Sequence, residues 1–168
     1  MEIKENTISI LVNNKPDVMA RIAGTFSGRG FNIETISVNV TGDPKISKIT
    51  LTIWGNQETI IKIEKQLNRM VDVLKVDDLT GRESVRREMV MARVKVAEEQ
   101  KSEFMQTIDT YKWKVVSNEE NYWILELTGD KKEIDDALSI LRPFGMDDFS
   151  RSGTIALANK NNNNNIRG

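Results

Sequence analysis

The chain has 168 residues, 39% hydrophobic and 29% charged, enough for one large globular domain or two small ones. Its 24 basic and 25 acidic residues nearly cancel, so the charge balance gives no reason to expect nucleic acid or an anionic membrane as partner. The absence of cysteine and histidine excludes disulfides, thiol nucleophiles, the usual zinc ligand sets and His-based acid–base catalysis.

In chain order, residues 7–12 (TISILV) read as a strand and residues 13–17 as a turn. Apolar residues then fall at Met19, Ile22, Ala23 and Phe26, one face of a helix, with Gly28 and Gly30 as its stop. FNIETISVNV is rich in β-branched residues and reads as the second strand. KITLTIWG alternates Ile49, Leu51 and Ile53 with Thr50, Thr52 and Trp54, a half-buried third strand. Residues 57–68 carry Ile60, Ile63 and Leu67 on one helical face, and VDVLKV closes as a fourth strand. The order β-α-β-β-α-β is the ferredoxin-like unit.

DDLTGRESVRRE is polar and reads as a linker, after which the same order returns. MVMARVKV is a strand, residues 99–109 a helix burying Phe104 and Ile108, and WKVV and YWILEL two strands joined by SNEEN. Residues 131–141 form a helix with Ile134, Ala137, Leu138 and Leu141 inward, and TIALA is the last strand. The repeat is one of architecture, not of sequence. The fold class expected is α+β, two consecutive ferredoxin-like domains. The tail NKNNNNNIRG has little apolar surface to bury and is expected to be disordered. No basic-then-apolar leader and no membrane-length apolar run is visible, so a cytoplasmic protein is expected.

Two readings stay open for NNKPD, residues 13–17. It is a strand-to-helix turn with Pro16 in the first helical turn and Asp17 favoured beside the positive helix end. It is also a place where helix N–H groups could receive a ligand carboxylate, with Asn14 and Asn32 adding amide contacts, as suits a free amino acid. RESVRRE reads as solvated linker, its basic residues flanked by Glu83 and Glu88. The pairs Asp77–Asp78 and Asp147–Asp148 lack His or Cys partners, and adjacent strand residues point to opposite faces, which argues against catalysis. The three Trp residues read as packing, with Trp54 and Trp113 also placed to serve an interface. An RNA-binding domain shares the strand order but needs aromatics on its central strands, which KITLTIWG lacks apart from its terminal Trp.

The stretches ISILVNNKPDVMARIAGTFSGRGFNIETISV, DPKISKITLTIWG and IEKQLNRMVDVLKVDDLT resemble the small regulatory subunit of acetolactate synthase (acetohydroxyacid synthase). RREMVMARVKV and LRPFGMDDFSRSGTIALA resemble the second domain of that subunit, so the resemblance spans about residues 5–158. It implies an ACT domain over 5–79 for effector binding and dimerisation, a linker over 80–88, a ferredoxin-like domain over 89–158 and a disordered tail over 159–168. It also implies a homodimer or larger assembly, no catalytic residue, no metal site and no cofactor in this chain. The implied partner is a large catalytic subunit that uses thiamine diphosphate, Mg2+ and FAD. The implied effector is a branched-chain amino acid such as valine, bound where two ACT domains pair.

Carried over residue by residue, the resemblance places Asn14, Val18, Met19, Asn32 and Ile33 at the effector. Asp17 stands where the family pattern has Gly, in NKPGV, and adds bulk and charge beside a ligand carboxylate. The resemblance thus implies activation with weakened feedback. A stand-alone ACT-type amino-acid sensor acting on another partner is the alternative, and an enzyme with a carboxylate-only site a third.

Overall fold

β1 (Lys4–Asn13) puts Ile8, Ile10 and Val12 on one face, each at most 2% exposed. β3 (Ile46–Gly55) does the same with Ile49, Leu51 and Ile53. Strand alternation therefore lays down an apolar floor. α1 (Val18–Ser27) lowers Val18, Ile22 and Phe26 onto it, and α2 (Gln57–Leu67) lowers Ile60, Ile63 and Leu67. β2 (Ile33–Val40) and β4 (Val73–Asp78) complete an antiparallel sheet in the order β2-β3-β1-β4. The computed structural model describes residues 2–27, 32–80 and 83–159.

The second sheet repeats the plan. β5 (Ser84–Lys95) buries Val90, Ala92 and Val94, and β7 (Tyr122–Gly129) buries Trp123, Leu125 and Leu127. α3 (Lys101–Tyr111) and α4 (Lys131–Leu141) cover them with Phe104, Ile108, Ile134, Ala137, Leu138 and Leu141. With β6 (Lys114–Glu119) and β8 (Met146–Arg151) the strand order is β6-β7-β5-β8, the same permutation as in the first sheet. β9 (Ile155–Ala158) pairs β5 off this path. The chain is α+β with two ferredoxin-like units, Met1–Val85 with the segment from Thr154, and Arg86–Gly153.

Several expectations are corrected. The linker expected over 80–88 is strand from Ser84 onward. Its inward alternation continues through Glu88, which is 2% exposed and accepts from Arg151 Nε, so a charge sits on the inner face without loss of pairing. TIALA is not the fourth strand of the second sheet: that place belongs to β8, and residues 154–158 group with the first unit rather than with the domain expected over 89–158. β8 reads MDDFSR and hid because four of its six residues are polar; Arg93 holds Asp147 at 2.8 Å and Asp148 at 3.8 Å.

The inner face of α1 is Val18, Ile22 and Phe26, with Ala23 exposed and Met19 only packed alongside. The third helix starts at Lys101 after a 3-10 turn over Glu98–Gln100, not at residue 99. The β3 threonines are not solvated: Thr50 and Thr52 are 4% and 1% exposed, and Thr35 and Thr52 hydroxyls meet at 2.8 Å. Residues from the chain's end lie against this face, where Lys48 Nζ donates to Ala156 C=O at 3.2 Å. The glycine stop at Gly28 and Gly30 and the tail beyond Asn159 lie outside the described residues.

Candidate functional site

The loop joining β1 to α1 is held on both flanks. Asn13 N–H, at the end of β1, donates to Asp72 C=O at 2.8 Å. Asn14 is fixed to the β2–β3 hairpin twice, by its N–H to Lys45 C=O at 2.7 Å and by its side-chain amide to Pro44 C=O at 3.0 Å. Pro16 has no N–H to satisfy and restricts φ, which suits the entry to a helix. Val18 N–H bends back to Lys15 C=O at 3.3 Å, and Arg21 N–H closes the first helical turn on Asp17 C=O at 3.1 Å.

At the centre of these contacts is Asp72, in the turn between α2 and β4 and 5% exposed. One carboxylate oxygen accepts from Asn13 Nδ2 at 3.0 Å and Lys15 Nζ at 2.7 Å; the other accepts from Arg21 Nη2. Hydrogen bonds from Lys15, then Asn13 and Arg21, hold the Asp72 carboxyl well below the usual carboxylate range against the opposing push of burial. Arg21 is raised in turn, chiefly by its bond to Asp72. Arg21 Nε also lies 3.2 Å from Asp17, one helical turn back. Lys15, Asp17, Arg21 and Asp72 thus form a balanced quartet around the loop, with Arg21 shared by both carboxylates.

The residues expected at the effector are placed unevenly. Asn14 and Asp17 are exposed on the loop, and Asn32 is exposed at the entrance to β2. Val18, at 2% exposure, belongs to the core, and Met19 and Ile33 pack against that core from partly buried positions. The Asp17 carboxylate is two-thirds exposed and points to Arg21. Sequence reasoning missed Asp72, Lys15 and Arg21. The available signal was an Asp between two valines in VDVLKV, a charged residue at the mouth of a core strand that needs partners.

Of the carboxylates weighed for catalysis, Asp77, Asp147 and Asp148 are held in ion pairs. Asp77 pairs with Lys75 at 2.9 Å, and Asp147 and Asp148 serve Arg93. Among the described residues, no group of three or more His, Cys, Asp or Glu side chains is arranged to hold a metal ion. No helix among them is long and apolar enough to cross a membrane. Trp123 packs edge-on against Phe104 with centroids 5.6 Å apart, and Trp113 stacks on Tyr111 at 4.9 Å; Trp54 is 52% exposed. β2, one of the two edge strands of the first sheet, exposes Ile36, Val38 and Val40.

The family model "AHAS small subunit-like ACT domain" matches residues 8–75, and the model "Small subunit of acetolactate synthase" matches residues 87–160. A Methanothermobacter thermautotrophicus protein described as "Probable acetolactate synthase small subunit" is 38% identical, covering 94% of this chain and 95% of its own length. The Aquifex aeolicus acetolactate synthase small subunit is 33% identical over 93% of this chain and 82% of its own. The crystal structure of the Thermotoga maritima acetolactate synthase small subunit superposes with a TM-score of 0.86, at 31% identity, covering 94% of this chain and 99% of that one. Two half-chain matches in order, and relatives matched along nearly their full length, establish that this chain belongs to the family of acetolactate synthase small subunits.

Proposed function

We propose that this chain is the non-catalytic regulatory subunit of an acetolactate synthase, binding the large catalytic subunit and raising its activity in branched-chain amino acid synthesis. The observation that carries the proposal is family membership across both domains, joined to side chains whose carboxylates are engaged in structural pairs. Thiamine diphosphate, Mg2+ and FAD belong, on this reading, to the large subunit, where they supply the condensation of two 2-oxo acids. The exposed apolar residues Ile36, Val38 and Val40 on the β2 edge suit pairing with a second copy, since an open edge strand invites a partner. The test is pyruvate turnover by the large chain, loaded with its cofactors, with and without this chain. We expect no turnover by this chain alone and a clear rise on mixing. Turnover by this chain alone, or no change on mixing, rejects the proposal.

The β1–α1 loop is the proposed effector site, with Asn14, Asp17, Val18, Met19, Asn32 and Ile33 nearest to it. A valine carboxylate placed at the first N–H groups of α1 would meet Asp17. Because the Asp17 side chain is 67% exposed and paired with Arg21, its repulsion is screened and the effect on affinity is bounded. We expect weak valine feedback in the wild type, and roughly three- to tenfold tighter valine binding in Asp17→Gly. Calorimetric titration of valine checks this, and equal affinities would remove Asp17 from the account.

A further inference from the structure

We propose that Asp72 is the positioning residue of the effector loop, a buried carboxylate clasp that fixes Asn13, Lys15 and Arg21 so that the loop presents one geometry to its ligand. This rests on the effector reading of the β1–α1 loop given above. The clasp joins three points that otherwise share only the loop backbone: the end of β1 through Asn13, the loop through Lys15, and the first full turn of α1 through Arg21. All three donors converge on one side chain that is only 7% exposed. With Asp17 it balances the two cations beside the loop. Without it, Lys15 would be released and Arg21 held only by the exposed Asp17, or by neither carboxylate in an Asp17→Gly background, and both could bind anions in many poses, whereas an amino-acid site needs one pose.

The second domain shows that the fold itself does not require this carboxylate. There the equivalent junction, entering β8 instead of β4, is closed by Gly145, whose C=O accepts from Lys95 N–H at 2.9 Å. That bond matches the one from Asn13 N–H to Asp72 C=O at 2.8 Å. In both sheets the strand register also shifts at the same place, between Leu11 and Val12 and between Arg93 and Val94. Backbone closure is common to both domains; the side-chain clasp belongs to the domain that carries the loop.

The experiment uses the full chain reconstituted with its large subunit. Asp17→Gly is the background, chosen for tighter valine binding, and Asp72→Asn and Asp72→Glu are added to it. Three readouts are taken: half-inhibiting valine concentration, maximal activation, and amide exchange in residues 13–21 against 49–53. Asp72→Asn is expected to raise the half-inhibiting concentration by about tenfold or more, with maximal activation changed less than about twofold. Exchange should accelerate in residues 13–21 and not in 49–53, and Asp72→Glu, which keeps the charge, should recover part of the valine response. Unchanged valine dependence in Asp72→Asn overturns the proposal. So does a joint loss of activation and valine response with faster exchange throughout, because Asp72 would then serve only the fold. Should Asp17→Gly activate the large subunit yet ignore valine, the effector reading fails by itself. Exchange then decides the clasp: acceleration confined to 13–21 sustains it, and its absence rejects it.

Discussion

In the first domain the backbone of Asn14 donates to Lys45 C=O at 2.7 Å; in the second, Val96 donates to Asn121 C=O at 2.9 Å. Each bond ties the residue after the first strand to the hairpin between the second and third. With the junction bonds at Asp72 and Gly145, the two domains share a backbone frame. They differ in what the side chains add. Around residues 13–21, Asn13, Asn14, Lys15 and Arg21 each spend a side chain on fixing the loop. The corresponding stretch of the second domain is a 3-10 turn over Glu98–Gln100 without a side-chain cap, tied to the junction by Gln100 Nε2 donating to Pro143 C=O at 3.4 Å. Two copies of one frame therefore separate the backbone bonds that both domains share from the side-chain bonds around the proposed effector loop.

The sharpest way to break this comparison is to exchange the junction residues. Gly145 has φ of +92°, and a Cβ there would come within 2.5 Å of Lys95 C=O. Asp72 makes its bond from ordinary backbone: outside glycine, positive φ among the described residues occurs at Lys112 and Glu120. The junctions are thus alike in hydrogen bonding and unlike in the turn that delivers it. Gly145→Asp should cost about 3 kcal/mol, from left-handed strain and the carbonyl contact together. Asp72→Gly, which keeps the backbone bond, should cost less. Denaturant titration read by amide exchange within residues 86–153 checks the first. A loss under about 1 kcal/mol would mean that the turn relaxes freely and the close approach constrains nothing.

A smaller effect distinguishes the junctions in acid. The folded Asp72 carboxyl lies below its unfolded value of about 3.9, so its contribution to stability is fully present above that pH and is lost as pH falls through the folded value. The groups that face it are Asn13, Lys15 and Arg21, with Asp17 beyond Arg21. Gly145 has no titrating side chain. Wild type should therefore exceed Asp72→Asn in stability by a constant margin from about pH 8 to 5, and the margin should shrink below about pH 4. An acid titration of both chains followed by circular dichroism measures it. A margin that changes between pH 8 and 5 would point to another group.

Much of this frame was legible in the sequence, for reasons that also mark its limits. Strands and helices with strict periodicity, such as Ile8, Ile10 and Val12 or Ile60, Ile63 and Leu67, announce their inner face because burial on one side leaves a repeating signal. The helix over 131–141 was readable to the residue, since Asp130 and Glu133 form a capping box at its start. β8 was not readable: its inward partners are few and its aspartates look like loop, until Arg93 on the neighbouring strand neutralises them. The start of β5 hid likewise, because Glu88 becomes an inner residue only through Arg151. The candidate site divides the same way. Asn14, Asp17 and Asn32 could be named from local motif, but Asp72 acts from 51 residues beyond Arg21 and 57 beyond Lys15, a pairing that no local pattern carries.

The helix caps offer the finest comparison, because here the domains agree in cap geometry and differ in what the N3 side chain adds: Thr59 Oγ1 donates to Asn56 Oδ1 at 3.0 Å, whereas Glu133 accepts a return bond at the other helix. Asn56 Oδ1 accepts from Thr59 N–H at 2.9 Å at the start of α2. Asp130 accepts from Glu133 N–H at 2.8 Å at the start of α4, and Glu133 Oε2 accepts in return from Asp130 N–H at 2.7 Å. Asn56→Ala removes one acceptor from the N–H groups that a helix start leaves unsatisfied, at a cost of about 1 kcal/mol. Asp130→Ala removes a charged acceptor near the positive end of the helix, while the backbone N–H of residue 130 can still donate to Glu133. Its cost should be larger, about 1.5 kcal/mol. Salt separates the contributions, since screening weakens the charge–dipole part and leaves the neutral Asn56 cap nearly unchanged. Melting of the two variants at low and high salt should therefore show a gap that narrows as salt rises. Equal losses at low salt would mean that the charge adds nothing to a cap whose geometry both domains already share.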